Sequence, residues 1–362
     1  MPDDIDAILT AASRALGTPV TDPVDLGGSE RTSVLRCHTI DGTVIVKAYR
    51  EPSEYFANEA AGLAFTTHGP RLLAVDPATP LVVMSDLGTA PSLAHVLLGT
   101  TPDDATAALE EWVHGYGRIA VETFGKQAEF AALHGQWYPG ERPPFTLDTD
   151  TFTATLTALD VTPPDGLAAD LKTVAALDGP EVFSPGDICP DNNILTDAGL
   201  RVLDFEGAGY GPVFLDAAFT RMPFSSCWCV YRLPEGVRDR IETAYRADVV
   251  TACPELADEP SWRHGLLLAT AWWTIDIVNH LGTKSAVRDG SMHPAWAGAP
   301  TARQLLRYRW QHLLTELDTA SALPALAETA HRLLAATEHW ATTPLPLYPA
   351  FASPRPPTIV TS

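Results

Sequence analysis

The chain has 362 residues, room for about two domains at the usual ~100–200 residues each, and 46 % of them are apolar, enough for a sizeable core. Lys and Arg number 24 against 45 Asp and Glu, a formal net charge of −21, which argues against nucleic acid or anionic membrane as a partner. The longest apolar stretch, 265–278, carries Asp276 and is too short to span a bilayer. The acidic start lacks the basic region and apolar run of a signal peptide. Cys37, Cys189, Cys227, Cys229 and Cys253 form no CxxC pair, so the expectation is a reduced, cytoplasmic protein.

Residues 3–16 read as a short amphipathic helix. Two β-like runs follow at 33–39 and 43–49, joined by the hairpin signal Ile40-Asp41-Gly42. Just upstream, Gly27-Gly28-Ser29 is a turn whose backbone N–H groups could cap phosphate oxygens, although most such turns are only turns. Lys47 sits inside an apolar strand, where an unpaired ammonium is costly. Glu59 follows in a helical pattern over 54–65. A strand lysine paired to a helix glutamate is one expectation, with Glu54 near enough to rival Glu59; a lysine snorkelling from an edge strand, with Glu59 on a wet helix face, is the other.

Residues 80–88 read as a buried strand running into a loop. Beyond the polar break at 99–102 the pattern turns helical, with helices expected at 103–124, 151–159 and 165–177. More follow at 234–251, 261–281, 302–317 and 324–340, the first and last of these opening on a proline. Between the two groups lies the loop 184–195. Asp187 and Asn192 stand five apart in it, with Pro190 between them to forbid a regular helix. A hairpin over 193–203, turning at 197–199, delivers Asp204 to the same region. An acid, an amide and a second acid so placed are what magnesium-assisted phosphoryl transfer needs.

Residues 97–181 hold 14 acidic and four basic side chains, either a solvated face or a field that steers a cationic substrate. On the helix at 261–281, Asp276 is a lone carboxylate on an apolar surface, and Asn279 and His280 share its face. These three are candidates for an acceptor site, or Asp276 is a buried acid satisfied internally. Trp272 and Trp273 read first as core, and His114 and His134 as locally bonded histidines. The stretch 283–300, with Arg288, His293 and Trp296, is long enough for a lid or for disorder. The end, 342–362, carries six prolines and reads as a PPII-like or disordered tail.

The ordered set of glycine turn, strand Lys47, helix Glu59, apolar strand, Asp187-x4-Asn192 and Asp204-Phe205-Glu206 resembles the aminoglycoside phosphotransferase and choline kinase-like family over about residues 20–280. The resemblance implies an α+β, bilobal protein-kinase-like fold. Its expected parts are a small β-rich N-lobe at 1–84, a hinge at 85–88, a large helical C-lobe at 89–341 and the tail. It implies ATP and Mg2+ as cofactors and a small hydroxyl-bearing acceptor, cationic or polyhydroxylated, with no nucleic acid or membrane partner. Oligomeric state and the choice between ATP and GTP stay open.

By the same resemblance Asp187 looks like the catalytic carboxylate, and Asn192 and Asp204 look like the metal ligands. Lys47, paired to Glu59, looks like the phosphate-holding lysine, and Gly27, Gly28 and Ser29 like the loop over the phosphates. Met84, Ser85 and Leu87 stand where the family borders adenine, and Asp216 looks like a buttress of the catalytic loop. Two positions depart from the pattern. Pro185 stands where the family usually has a histidine, and Cys189 where it often has another. Cys189 reads as a small packed residue rather than a redox handle. These departures keep a non-catalytic nucleotide-binding module as the alternative. Asp216 follows Asp204 by only twelve positions, leaving no room for the activation segment of a protein kinase.

Overall fold

The first helix, α1 (Ile5–Leu16), is capped by Asp4, whose carboxylate accepts the Ala7 N–H at 3.1 Å. It is followed by β1 (Thr21–Gly28), β2 (Thr32–Thr39), β3 (Gly42–Tyr49), α2 (Glu54–Phe65), β4 (Leu72–Asp76) and β5 (Leu81–Ser85). The computed structural model describes residues 4–140, 145–222, 224, 227–293 and 298–352. All strand pairs of the N-terminal sheet are antiparallel, in the order β1-β2-β3-β5-β4. β1 was not foreseen: it is exposed along its whole length, so no apolar alternation marks it. The short β4 was also missed.

Alternation along β3 decides where Lys47 points. Val44, Val46 and Ala48 join a core layer with Ile8, Ala11 and Ala12 of α1. The intervening Ile45, Lys47 and Tyr49 face the opposite side, toward α2 and the rest of the molecule. β3 pairs with β2 on one flank and β5 on the other, so Lys47 lies on a central strand. The edge-strand alternative is thereby excluded.

The remainder is mainly helical. It comprises α3 (Leu93–Leu97), α4 (Pro102–Thr123), α5 (Gln127–His134), α6 (Thr149–Ala158) and α7 (Leu167–Ala175), then β6 (Glu181–Ser184), β7 (Asn193–Thr196), β8 (Gly199–Val202) and β9 (Gly209–Pro212). After these come α8 (Val213–Ala217), α9 (Glu235–Val249), α10 (Glu259–Val287), α11 (Ala302–Ala320) and α12 (Pro324–Ala336). β7 pairs with β8 in the expected hairpin, and β6 with β9. A small antiparallel sheet lobe and a helical lobe make this an α+β, protein-kinase-like fold. Trp262, Trp310, Tyr245 and Phe224 are fully buried in the helical lobe's core.

Three expectations are corrected. α10 runs to Val287, so the start of the supposed lid at 283–300 is helix; Met292 N–H then bonds Pro300 O at 2.8 Å and pins the base of the loop. Trp296 lies outside the described residues. The tail is not free over 342–352, the part of it that is described. Leu345, Tyr348 and Ala350 are buried, and Arg232 N–H donates to Pro346 O (2.8 Å) while Tyr348 N–H donates to Arg232 O (3.0 Å). Prolines suit such an extended strap, because its apolar residues can dock without a full ladder of N–H donors. The third correction concerns the thiols: Cys189 and Cys227 form a disulfide, with Cα atoms 5.7 Å apart. Cys37, Cys229 and Cys253 are free and buried.

Candidate functional site

Between the sheet and the helices opens a cleft of about 680 Å³. Its sheet side is formed by Gly28, Ser29, Ile45, Lys47 and Met84, and its connecting edge by Ser85, Asp86, Leu87 and Gly88. Asp187, Cys189, Asp191, Asn192, Asp204 and Glu206 approach from the other side, and Cys227, Trp228 and Met292 complete the wall.

Lys47 is the centre of charge. Its Nζ donates to Glu59 Oε2 at 2.9 Å and to Asp204 Oδ1 at 3.0 Å, with Glu206 at 3.8 Å. Burial alone would lower the lysine's pKa, yet Glu59 and Asp204 together raise it well above the ordinary value. Glu59, fully buried on α2, is pushed up to about 7 by burial, against the pull of Lys47 and the Phe205 N–H, which donates to it at 3.0 Å. Asp204 is half-buried, which alone would raise its pKa, but Lys47 and the Glu206 N–H hold it below the usual carboxylate range. Of the two candidate partners for Lys47, the structure selects Glu59.

The Asp204 segment is held from both sides. Phe205 packs against α2 at Gly62, where a Cβ would come within 2.6 Å of the phenylalanine's Cβ. Asn58 Nδ2 donates to Glu206 O at 2.9 Å, and Leu203 N–H to Asn192 O at 2.8 Å, which ties the Asn192 loop to the Asp204 segment. Where the resemblance leads one to expect a histidine brace, this chain has Pro185, and the contact is made next door by glycines. Gly186 has φ +87°, and a Cβ on it would stand 2.2 Å from Gly207 O. Loop and segment therefore touch backbone to backbone.

Asp187 is pushed up to about 6 by burial and by the charge of Asp204, against a hydrogen bond from the Cys189 N–H at 3.2 Å. Asp216 rises to about 7 through burial, tempered by its bond with Ser184, on the strand leading into the Asp187 loop. The metal-type donors in the cleft are hard oxygens, the Asp204 carboxylate and the Asn192 amide, and beside them Asp191 Oδ1 is buried without a protein partner. That donor set fits a magnesium ion and is wrong for a soft metal.

Other expected roles fit less well. Gly27 is not among the lining residues. Ser29 lines the cleft, but its N–H donates to Thr32 O (3.1 Å) and its hydroxyl accepts the Arg31 N–H (3.1 Å), so the turn uses its own donors. Ser85 N–H donates to Arg71 O (2.9 Å), which leaves Ser85 no free N–H for a ligand. Asp276, Asn279 and His280 do not line the cleft. Asn279 bonds Asp148 O at 2.8 Å, His280 bonds the Asp276 carbonyl at 2.9 Å, and burial raises the Asp276 pKa. No lining residue comes from the acidic stretch 97–181. His114 bonds Asp248 at 2.7 Å, and Trp273 packs on Phe219 at 5.0 Å between ring centroids, as expected of local and core residues.

Asp191, Trp228 and Met292 escaped the sequence reading. Trp228 Nε1 donates to Asp191 Oδ2 at 2.7 Å, and its ring stands 4.6 Å from that of His293. Asp191 could have been suspected from its place between Pro190 and Asn192; nothing in the sequence marks Trp228 or Met292.

Comparison with known proteins agrees with this architecture. A Ralstonia eutropha JMP134 protein assigned as an aminoglycoside phosphotransferase superimposes with a TM-score of 0.54 at 15 % identity, covering 90 % of this chain and 98 % of its own. Choline kinase from Cryptosporidium parvum Iowa II gives 0.52 at 12 % identity, with 86 % and 93 % covered. A Thermobifida fusca YX-ER1 protein assigned as a fructosamine-3-kinase gives 0.50 at 19 %, with 91 % and 99 % covered. At these identities the likeness speaks for the fold alone. No curated protein matches the sequence. The model of the phosphotransferase enzyme family matches residues 25–265, two-thirds of the chain, and the chain belongs to that family.

Proposed function

We propose that the protein transfers the γ-phosphate of ATP to a hydroxyl group of a small molecule: an aminoglycoside, sugar, amino sugar or amino alcohol. The observation that carries this reading is the position of Lys47, bonded to both Glu59 and Asp204 in the cleft that Asp187 and Asn192 also line.

In this reading Lys47 holds the phosphate chain, and Glu59 fixes its ammonium on the cleft side of the sheet. Met84 and Leu87 border the base. Asn192 and Asp204 would hold Mg2+, which when bound neutralises charge on the phosphates. Asp187 orients the acceptor hydroxyl and accepts its proton as the oxygen attacks; its raised pKa suits a group that must take up a proton near neutrality. Asp216 keeps the loop in place through Ser184. The rest of the catalysis is positioning and charge.

The test is ADP release across aminoglycosides, macrolides, sugars, amino sugars and amino alcohols, with Asp187→Ala as the blank. Wild type exceeding the blank on one acceptor class supports the proposal. Equality on every acceptor, with ATP still bound, would leave a nucleotide-binding module without transfer activity.

A further inference from the structure

The disulfide lies at a chemically significant place. Cys189 is two residues from Asp187, and its N–H is bonded to the Asp187 carboxylate. A carboxylate oxygen of Asp187 and both sulfurs lie within 4.8 Å of one another. Cys227 is followed by Trp228, whose indole holds Asp191, and all five residues line the cleft. The bond joins residues 38 apart, and the ring so closed contains Asn192, Asp204 and Asp216. It thus fastens the loop carrying Asp187 to the wall carrying Trp228. The nucleotide-side residues Lys47, Glu59 and Met84 lie outside the ring, on β3, α2 and β5.

We propose that the Cys189–Cys227 disulfide is a positioning cross-link for phosphoryl transfer, and that its reduction by a dithiol disables acceptor turnover while sparing nucleotide binding. The inference rests on the phosphotransferase reading above. Cys189 is the more exposed of the two residues and meets a reductant entering the cleft first. The reductant's thiolate attacks Cys189 Sγ, the S–S bond breaks, and Cys227 leaves as a thiolate that takes up a proton. The reductant's second thiol then displaces Cys189 and is itself oxidised to a disulfide, so two electrons and two protons pass to the protein.

The experiment compares the enzyme as isolated with the same enzyme after dithiothreitol. Thiols are counted under denaturing conditions, acceptor kinetics and ATP affinity are measured, and hydrogen exchange is followed over residues 186–195. The count should rise from three to five. Acceptor kcat/KM should fall about 10- to 100-fold, as expected for a displaced reacting group, and recover on reoxidation. ATP affinity should not change, and exchange over 186–195 should quicken. Cys227→Ser should reproduce the reduced kinetics and no longer respond to dithiothreitol; if that variant does not fold, the reduced wild type alone decides.

Five thiols before reduction overturn the proposal, as does unchanged kcat/KM once five are counted. A matching loss of ATP affinity also overturns it, since the bond would then serve general stability. If the isolated enzyme turns over no acceptor, the phosphotransferase reading fails separately. Exchange then still decides the cross-link: quickened, it is supported; unchanged, it is overturned.

Discussion

The two sides of the cleft solve the same electrostatic problem in opposite ways. On the Lys47 side, the counter-charge is supplied inside the protein: Lys47 is shared between Glu59 and Asp204, the first two buried and Asp204 half-buried, and the cluster is bonded from β3, α2 and the Phe205 backbone. On the Asp187 side, that carboxylate faces the cleft with a raised pKa and Asp191 keeps one buried oxygen without a protein partner. The first arrangement has its ion pairs in place before any ligand arrives, although Glu59 Oε1 is left without a hydrogen-bond partner. The second gains its counter-charges only from what binds. Under the proposed function, such a division suits an enzyme whose nucleotide is constant and whose acceptor must be recognised, because unmatched polar groups discriminate more sharply than filled ones.

The comparison breaks first at Asp187. Asp187→Ala should lower kcat by about 10²–10⁴-fold, the usual worth of a positioned proton acceptor, and leave ATP binding intact by calorimetry. Lys47→Ala attacks the paired side and should do the reverse. Stranding Glu59 in the core should cost about 3–5 kcal/mol of stability in denaturant unfolding, and ATP affinity should fall with it. A drop below 1 kcal/mol would show that the cluster is not pre-formed.

Gly186→Ala tests the seam between the sides. The methyl must displace the Gly207 carbonyl from a backbone that already has positive φ, so a loss of about 1–3 kcal/mol is expected, with reduced kcat. The pH response sharpens the contrast further. Asp187 must be ionised to accept a proton, so kcat/KM should fall as pH drops through about 6, and a bound cation would move that limb lower. The stability term runs the other way. With a folded pKa of about 6 against an ordinary 3.8, the folded state holds the proton more tightly, and this group's contribution declines as pH rises between those values. The smallest effect belongs to Asp276→Asn, which should leave acceptor KM unchanged because Asp276 does not line the cleft.

What the sequence disclosed divides along the same line. Lys47, Asp187, Asn192 and Asp204 were legible because each breaks an apolar or turn pattern in a fixed order, and the β7–β8 hairpin carried Asp204 where the turn residues said it would. Glu59 and Glu54 could not be separated by pattern, since α2 is buried almost all round and has no clear wet face. The wall at Trp228 was illegible: Trp228 and Met292 reach the cleft through long-range packing, and a disulfide between residues 38 apart leaves no local trace. Asp276 misled because a carboxylate on an apolar helix signals burial without saying against what.

The proline-rich end has a practical consequence. Proline count alone would advise cutting the chain at about residue 341. That cut would remove Tyr348, a fully buried side chain whose ring stands 5.2 Å from that of Tyr231, four residues beyond Cys227. The shortened protein would lose the buckle that bonds Arg232 and packs on Tyr231, and poor expression of it would reflect a misplaced boundary. A boundary at 352 keeps the buckle fastened.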